Sequence, residues 1–222
     1  HFFLCAIQFP EQQSLFTIFS AFLNKHFSTY KTNMQELVPV MIKTALNLHA
    51  EVERSFQKTS INFHYEFNVR HLSNVFQGML QARSETIREP DHLVQLWAHE
   101  CERIYGDRLV SPEHLKTYKA FAADLSKKAF PRTNLSKFYQ EVNPDPLIFA
   151  NFVASLDDKM YDRFPSTEAM SAKLQEALRD YNDTNAVMDL VLFEDAMKHT
   201  CKISRIVSND GGHALLVGVG GS

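Results

Sequence analysis

Ala214-Leu215-Leu216-Val217-Gly218-Val219-Gly220-Gly221-Ser222 is the stretch that decides which fold we expect. Its first four residues form an apolar run typical of a buried strand, and glycines follow at once. A phosphate-binding loop has the pattern G-x-x-x-x-G-K-[ST] between a strand and a helix, and residues 218–222 match its first five positions. Glycines suit this role because backbone N–H groups converge on phosphate oxygens only where side chains leave room. A flexible Gly-Ser tail or linker is the alternative.

The composition is that of an ordinary folded protein, with 222 residues, of which 45% are apolar and 22% charged. A net charge of −3 provides no electrostatic footprint for nucleic acid or an anionic membrane. No apolar stretch approaches the roughly 18 residues that span a bilayer. Cys5, Cys101 and Cys201 are far apart, which favours free thiols in a reducing compartment over a disulfide framework. The sequence opens on His1, so we expect a piece of a longer protein.

Helical periodicity dominates the chain. Apolar residues recur at helical spacing and predict helices over 11–27, 32–56, 68–80, 90–106, 111–131, 167–181 and 187–207. Thr32-x-x-Gln35 has the pattern of a capping box, and Asn68 is a good N-cap for the third helix. Short apolar segments predict strands at 2–9, 147–153 and 214–217. Asn143-Pro144-Asp145-Pro146 is the best internal boundary.

Few residues carry recognisable chemistry. His99-Glu100-x-x-Arg103 resembles a zinc-protease helix, but arginine stands where the second histidine must be, so we expect no metal site. The acidic pairs at 157–158 and 194–195 fit solvated faces or helix starts better than catalytic dyads. Arg70 is more informative, because a cation in the first turn of a helix opposes the helix dipole and often has another role. A solvated arginine is the simpler interpretation of that position.

Arg70 and the terminal glycines fit a single mechanism. In P-loop ATPases of the AAA+ kind, a helical lid follows each α/β body and supplies an arginine toward the γ-phosphate of the nucleotide. A helical bundle followed by a new strand and a glycine loop is what the junction between two such modules in tandem would look like.

Several blocks then resemble one AAA+ family, the dynein heavy chains. FFLCAIQFPEQQSL (2–15) looks like the end of a large AAA+ subdomain, and FHYEFNVRHLSNVFQG (63–78) resembles the start of the lid helix of the third module. LVQLWAHECERIYGDRLV (93–110) is similar to a family block of the form L-x-x-L-W-x-H-E-x-x-R-x-x-x-D-(R/K)-L. Residues 181–207 followed by HALLVGVGGS look like the entry to the fourth module and its P-loop. The resemblance covers the whole chain and is closest to axonemal outer-arm heavy chains of the β type.

The resemblance implies roles for individual residues. Arg70 matches the lid's sensor-2 arginine, and His71 stands where the family has aspartate, which puts any salt bridge of that aspartate in doubt. The phosphate loop of the fourth module would be Gly218, Val219, Gly220, Gly221 and Ser222. The adenine side of the two pockets would be Met188, Asp189, Leu190, Val191, Pro10, Leu15 and Ile18.

We therefore expect a mainly α fold, with a AAA+ helical lid followed by the first strand and helices of the next α/β subdomain. The expected division is the end of a large subdomain at 1–10, the lid of the third module at 11–143 and the start of the fourth at 144–222. The resemblance implies ATP or ADP with Mg²⁺ in an intact parent, which would be a microtubule motor of the ciliary or flagellar axoneme with a coiled-coil stalk. Its partners would be the rest of the heavy-chain ring, microtubules, and intermediate and light chains.

The fragment alone is not expected to hydrolyse ATP. It lacks the P-loop lysine, the Walker B acid, the sensor-1 residue and the arginine finger, so no catalytic set is complete. Two other interpretations stay open at this point. One is a non-enzymatic helical interaction module with a Gly-Ser tail, and the other is a different tandem AAA+ ATPase without a microtubule stalk.

Overall fold

The computed structural model describes residues 2–139 and 146–218, and these form a predominantly helical protein. The helices are α1 (Gln12–His26), α2 (Thr32–Gln35), α3 (Leu37–Ser55), α4 (Val69–Met79), α5 (Pro90–Ile104), α6 (Pro112–Ala129), α7 (Thr167–Thr184) and α8 (Glu194–Ser208). Single turns of 3₁₀-helix lie at Phe27–Thr29, Gly106–Arg108 and Ser136–Phe138. Two short strands, β1 (Phe149–Ala150) and β2 (Asp162–Arg163), pair antiparallel.

Helices α1 to α6 share one hydrophobic core. Helix α3 packs against α1 and α6, and α4 packs against α5. Among the described residues, the largest fully buried side chains of this core include Trp97, Tyr105, Tyr118 and Phe27. Trp97 and Phe130 meet edge to face with ring centroids 5.2 Å apart, and such aromatic pairs add to the stabilisation from buried area. This bundle provides the rigid frame on which α4 and α5 are held.

A second, smaller cluster lies between α7 and α8. It contains Met170 and Leu174 of α7 with Met197 and Cys201 of α8. Strand β1 and the residues before it connect the two cores, because side chains alternate along extended chain. Leu147 and Phe149 are buried in the bundle core, whereas Ile148 and Ala150 are buried in the second cluster.

The helices agree with the sequence predictions, with shifted ends. Helix α7 runs to Thr184, three residues beyond its predicted end at 181. Helix α8 begins at Glu194, so the prediction of helix from residue 187 is wrong for 187–193. The predicted capping box at Thr32 is also wrong, because Thr32 lies inside α2 and makes no cap. The Gln35 side chain instead donates to the carbonyl oxygens of Ser28 and Tyr30.

The predicted strands are largely wrong. Residues 2–9 and 214–217 are in no strand and are exposed, and in the segment 147–153 only Phe149–Ala150 pairs. A strand requires a partner that covers its backbone groups, and the described part of the chain contains none for the two terminal segments. The expected first strand of a following α/β subdomain is therefore not formed in this structure. No helix within the described ranges has the length and apolar character that a bilayer crossing requires.

Candidate functional site

Arg70 lies in the first turn of α4, and the cap of this helix is built as the sequence predicted. The Asn68 side-chain oxygen accepts a hydrogen bond from the Arg70 backbone N–H at 3.1 Å. The Asn68 backbone N–H in turn donates to His71 Nδ1 at 3.1 Å, which completes a reciprocal capping box. With its backbone N–H engaged in the cap, Arg70 has only its guanidinium available for a ligand.

His71 has two donors facing its ring. Besides the Asn68 N–H at Nδ1, Arg108 places Nη1 2.9 Å from His71 Nε2. A neutral imidazole accepts at one nitrogen, so at most one of these contacts is a hydrogen bond in any protonation state. Burial, followed by the charge of Arg108, lowers the pKa of His71 below its ordinary value of 6.5. Arg108 also donates from Nε to the His64 carbonyl at 3.0 Å, so it holds the segment that enters α4.

A cavity of about 850 Å³ opens beside Arg70. Its walls come from one face of α4, the end of α5 with the 3₁₀ turn, one face of α8 and the segment 209–216 that follows α8. The basic side chains that line it are Arg70, Arg103, Arg108, Lys202 and Arg205, together with the histidines His71, His199 and His213, whereas its acidic residues are Asp107 and Asp210. The lining is therefore strongly cationic, which favours an anionic ligand.

Most of these cations are already paired. Lys202 Nζ lies 2.9 Å from Asp107 Oδ1, and Arg103 Nε lies 3.0 Å from Asp107 Oδ2. Arg205 binds Glu100. Within the described ranges, no ion pair or side-chain hydrogen bond involves the Arg70 guanidinium, and Arg70 is exposed. Among the described residues, Arg70 and Arg108 are thus the arginines of this wall that no carboxylate holds, and Arg108 is already engaged by the His64 carbonyl and the His71 ring.

Glu100 and Arg205 form a buried ion pair behind the cavity. Arg205 Nε lies 3.2 and 3.1 Å from the two Glu100 oxygens, and its Nη2 contacts Oε2. The Tyr161 hydroxyl donates to Glu100 Oε1 at 2.7 Å. Glu100 is 0% exposed and Arg205 is 5% exposed. Burial lowers the pKa of Arg205, but the neighbouring Glu100 carboxylate and its hydrogen bonds raise it further, so the net shift is upward and the guanidinium stays charged.

His99 packs against this pair. Its Nδ1 donates to the Leu147 carbonyl at 2.9 Å, so in the neutral ring Nε2, 3.2 Å from the Tyr161 hydroxyl, carries no proton. Burial, and then the charges of Arg103 and Arg205, lower the pKa of His99 well below its ordinary value. Within residues 2–139 and 146–218, no three His, Cys, Asp or Glu side chains converge as metal ligands.

The residues expected on the adenine side lie away from this cavity. Leu15 is 4% exposed and packs into the bundle core, whereas Ile18 is on the exposed side of α1 and Pro10 precedes that helix in extended chain. Residues 188–191 lie in the exposed connection between α7 and α8. Asn182 of α7 forms hydrogen bonds with both the N–H and the carbonyl of Met188. None of these residues lines the cavity.

The terminal stretch is only partly described. Ala214, Leu215 and Leu216 line the cavity with Arg70, and Gly218 is exposed beyond them. Val219, Gly220, Gly221 and Ser222 lie outside the described residues.

The sequence analysis missed the Glu100–Arg205 pair. One signal was present: Glu100 is four residues after Leu96 and three after Trp97, so it falls on the buried face of α5. A carboxylate on such a face requires a partner, but its partner is 105 residues away in sequence.

Two family models match the chain. Residues 41–137 match a model described as AAA+ lid domain. Residues 188–222 match a model described as P-loop containing dynein motor region D4. The first range contains α4, α5 and α6, and so includes Arg70, His71 and Glu100.

Curated relatives align with the chain along its whole length. The dynein alpha chain of the flagellar outer arm of Chlamydomonas reinhardtii is 49% identical over 221 residues, which are 100% of this chain and 5% of that protein. A ciliary dynein beta chain of Tripneustes gratilla is 39% identical over 224 residues, again 100% of this chain and 5% of the relative. Dynein axonemal heavy chain 11 of Sus scrofa is 41% identical over 224 residues, with the same shares. The chain thus spans about one twentieth of these proteins.

The relatives support the expected family but do not single out the β type. An α chain is 49% identical to this chain, whereas the Tripneustes β chain and the outer-arm β chain of Chlamydomonas are 39% and 34% identical. The mainly helical fold with a AAA+ lid is confirmed.

Proposed function

We propose that this chain, which is homologous along its whole length to a short segment of axonemal dynein heavy chains, supplies the lid of one AAA+ nucleotide site and the beginning of the next module. The residue divisions that we propose are those expected from the sequence: the end of a large subdomain at 1–10, a lid at 11–143 and the next module at 144–222. The match of residues 188–222 to a P-loop region supports the phosphate-loop interpretation of 218–222 over a Gly-Ser tail.

The unpaired guanidinium of Arg70 carries this proposal. It projects from the capped N-terminal turn of α4 at a cationic cavity, in which Arg103, Lys202 and Arg205 are held by carboxylates and Arg108 by the His64 carbonyl. An arginine can donate two parallel N–H hydrogen bonds to two oxygens of one phosphate. ATP has a γ-phosphate whose oxygens can accept them, and ADP lacks that group. Arg70 therefore acts as the sensor-2 residue, and its contact differs between ATP and ADP. Such a difference is what a nucleotide requires to shift the lid between positions.

The parent protein would bind ATP or ADP with Mg²⁺ and act as a microtubule motor of the axoneme. The relatives' names place those proteins in cilia, flagella and axonemes, and we assign this chain to the same location. In the parent, the heavy-chain ring, microtubules, and intermediate and light chains would be the partners. The adenine-side roles of Pro10, Leu15, Ile18 and residues 188–191 remain part of the proposal, with Leu15 acting through its packing because it is buried.

Replacement of Arg70 tests the proposal. In the intact parent motor, Arg70→Ala should weaken ATP binding at this module by roughly 10- to 100-fold, because it removes a charge-assisted bidentate contact. ADP affinity should be unchanged, and equilibrium titration of the parent motor with fluorescent ATP and ADP analogues measures both.

Arg132→Ala is the matched control, because Arg132 is also an exposed arginine of the lid but does not line the cavity. This variant should bind both nucleotides as the wild type does. An Arg70→Ala motor with an unaltered preference for ATP over ADP would remove the sensor-2 assignment.

A further inference from the structure

Helix α8 contacts the lid through two cations on one of its faces. Lys202 and Arg205 are three residues apart, so they point in the same direction from α8. They bind carboxylates of the lid, Asp107 and Glu100, of which Glu100 is completely buried. At the end of α8, the Gln81 side-chain amide donates to Asn209. The contact between α8 and the lid is thus largely polar, whereas the contact between α8 and α7 is made by apolar side chains.

Gly78 makes space for the buried carboxylate. It lies in the last turns of α4 and is itself buried. A Cβ atom at this position would lie 1.7 Å from Glu100 Oε2 and 2.2 Å from the carboxyl carbon, far inside van der Waals contact. Glycine in a helix interior is otherwise unfavourable by about 1 kcal/mol relative to alanine. Its presence here has a specific reason: α4 can approach α5 with the Glu100 carboxylate between them only without a side chain.

We propose that Gly78, Glu100 and Arg205 form a buried joint that docks α8 onto the α4–α5 pair. A bidentate ion pair fixes the orientation of α8 relative to the α4–α5 pair. The three residues depend on one another. Without Arg205, Glu100 would be a buried, uncompensated charge, and without space at Gly78 the carboxylate could not reach Arg205.

The joint also connects α8 to the nucleotide-contacting end of the lid. Arg70 and Gly78 are on the same helix, eight residues or about 12 Å apart. A rotation of α4 would therefore move the wall against which the Glu100 carboxylate rests. This consequence rests on the proposed function of Arg70, whereas the joint itself does not.

Amide hydrogen exchange of the 222-residue chain, measured without nucleotide, tests the joint. In Glu100→Gln and in Arg205→Met, the amides of α8 should exchange at least about 10-fold faster, because α8 undocks. The amides of α3, in the bundle core, should change less than about twofold. In the double variant both charges are absent, so exchange in α8 should be slower than in either single variant.

Two further variants separate the joint from general surface electrostatics and from helix propensity. Lys198→Ala removes the Lys198–Glu194 pair, which joins two residues of α8 itself, and should leave exchange in α8 unchanged. Gly78→Ala raises the intrinsic helix propensity of α4, yet it should accelerate exchange in α8 as Glu100→Gln does, because the added Cβ displaces the carboxylate.

The result that overturns the joint is also specific. If the single variants leave exchange in α8 as in the wild type, or accelerate α3 as much as α8, Glu100 and Arg205 do not dock α8 as a separate element. Slower or unchanged amide exchange in α8 of the Gly78→Ala variant would likewise contradict the claim that Gly78 leaves space for the Glu100 carboxylate. Because no nucleotide is present, these outcomes are independent of the Arg70 titration, so the joint and the sensor-2 assignment can fail separately.

Discussion

At the scale of single residues, two side chains cap the start of α4: Asn68 caps it well, and His71 caps it incompletely. The Asn68 side chain accepts a hydrogen bond from the Arg70 N–H. The His71 ring, however, faces two donors, the Asn68 N–H and Arg108, and can accept a hydrogen bond from only one of them. The resemblance to dynein heavy chains placed an aspartate at this position and left its salt bridge in doubt here. The structure identifies the partner that such a carboxylate would have, because Arg108 Nη1 lies 2.9 Å from the ring.

His71→Asp should stabilise the chain. A carboxylate at the third helical position has two oxygens, so it can accept from the Asn68 N–H and from Arg108 together, and its charge is favourable at a helix N-terminus. We expect the free energy of unfolding to rise by about 0.5–1.5 kcal/mol. Urea unfolding followed by circular dichroism at pH 7.5 measures the change.

His71→Asn is the control for this prediction, since asparagine can accept from the Asn68 N–H but has no charge for Arg108. It should be less stable than His71→Asp. Equal stability of the two variants would show that Arg108 contributes no ion pair at this position.

At the scale of elements, capping distinguishes helices that start similarly in sequence. Asn68 and Ser111 both stand at N-cap positions, but only the Asn68 side chain accepts a hydrogen bond from its helix. We expect Asn68→Ala to lower the free energy of unfolding by about 1 kcal/mol, because a backbone N–H of α4 loses its acceptor.

Ser111→Ala provides the matched comparison and should lower stability by less than about half as much, because no cap hydrogen bond is removed. Urea unfolding of both variants under identical conditions measures the difference. An equal loss in the two would mean that the Asn68 hydrogen bond does not stabilise α4.

The strands show the limit of reasoning from local pattern. The apolar runs at 2–9 and 214–217 have the composition of buried strands, but their side chains are exposed in this chain. Helices satisfy their backbone groups internally, so their periodicity is sufficient to predict them, whereas a strand needs a neighbour that only the tertiary structure can supply.

At the scale of the whole molecule, three histidines, of which two are buried and one is half-buried, should make stability depend on pH. Burial is the main cause that lowers the pKa of His49, His71 and His99. The folded state then binds fewer protons than the unfolded state, whose histidines titrate near 6.5. The free energy of unfolding should therefore be greatest above about pH 7.5 and should fall as the pH decreases through 6.5 toward 5.5. Urea unfolding at a series of pH values measures this slope.

His49→Gln should make the slope shallower, because it removes one of the three groups while its amide can still meet the Tyr105 hydroxyl, 3.0 Å from His49 Nδ1. His199→Gln, at an exposed position on α8, is the control and should keep the wild-type slope. Stability that rises on acidification between pH 7.5 and 5.5 would contradict the prediction.

The sequence by itself determined the helices, the Asn68 cap and the position of Arg70 as a cation in the first turn of a helix. Helix periodicity, capping and dipole effects act over a few neighbouring residues, so a local pattern reveals them. The family resemblance, confirmed at the level of dynein heavy chains and the AAA+ lid, also came from the sequence. Only the tertiary structure decided that Glu100 of α5 binds Arg205 of α8, that Gly78 makes space for it, and that the terminal apolar runs remain unpaired. The physical reason is distance along the chain: partners 105 residues apart are chosen by packing, and no local pattern encodes which of them will meet.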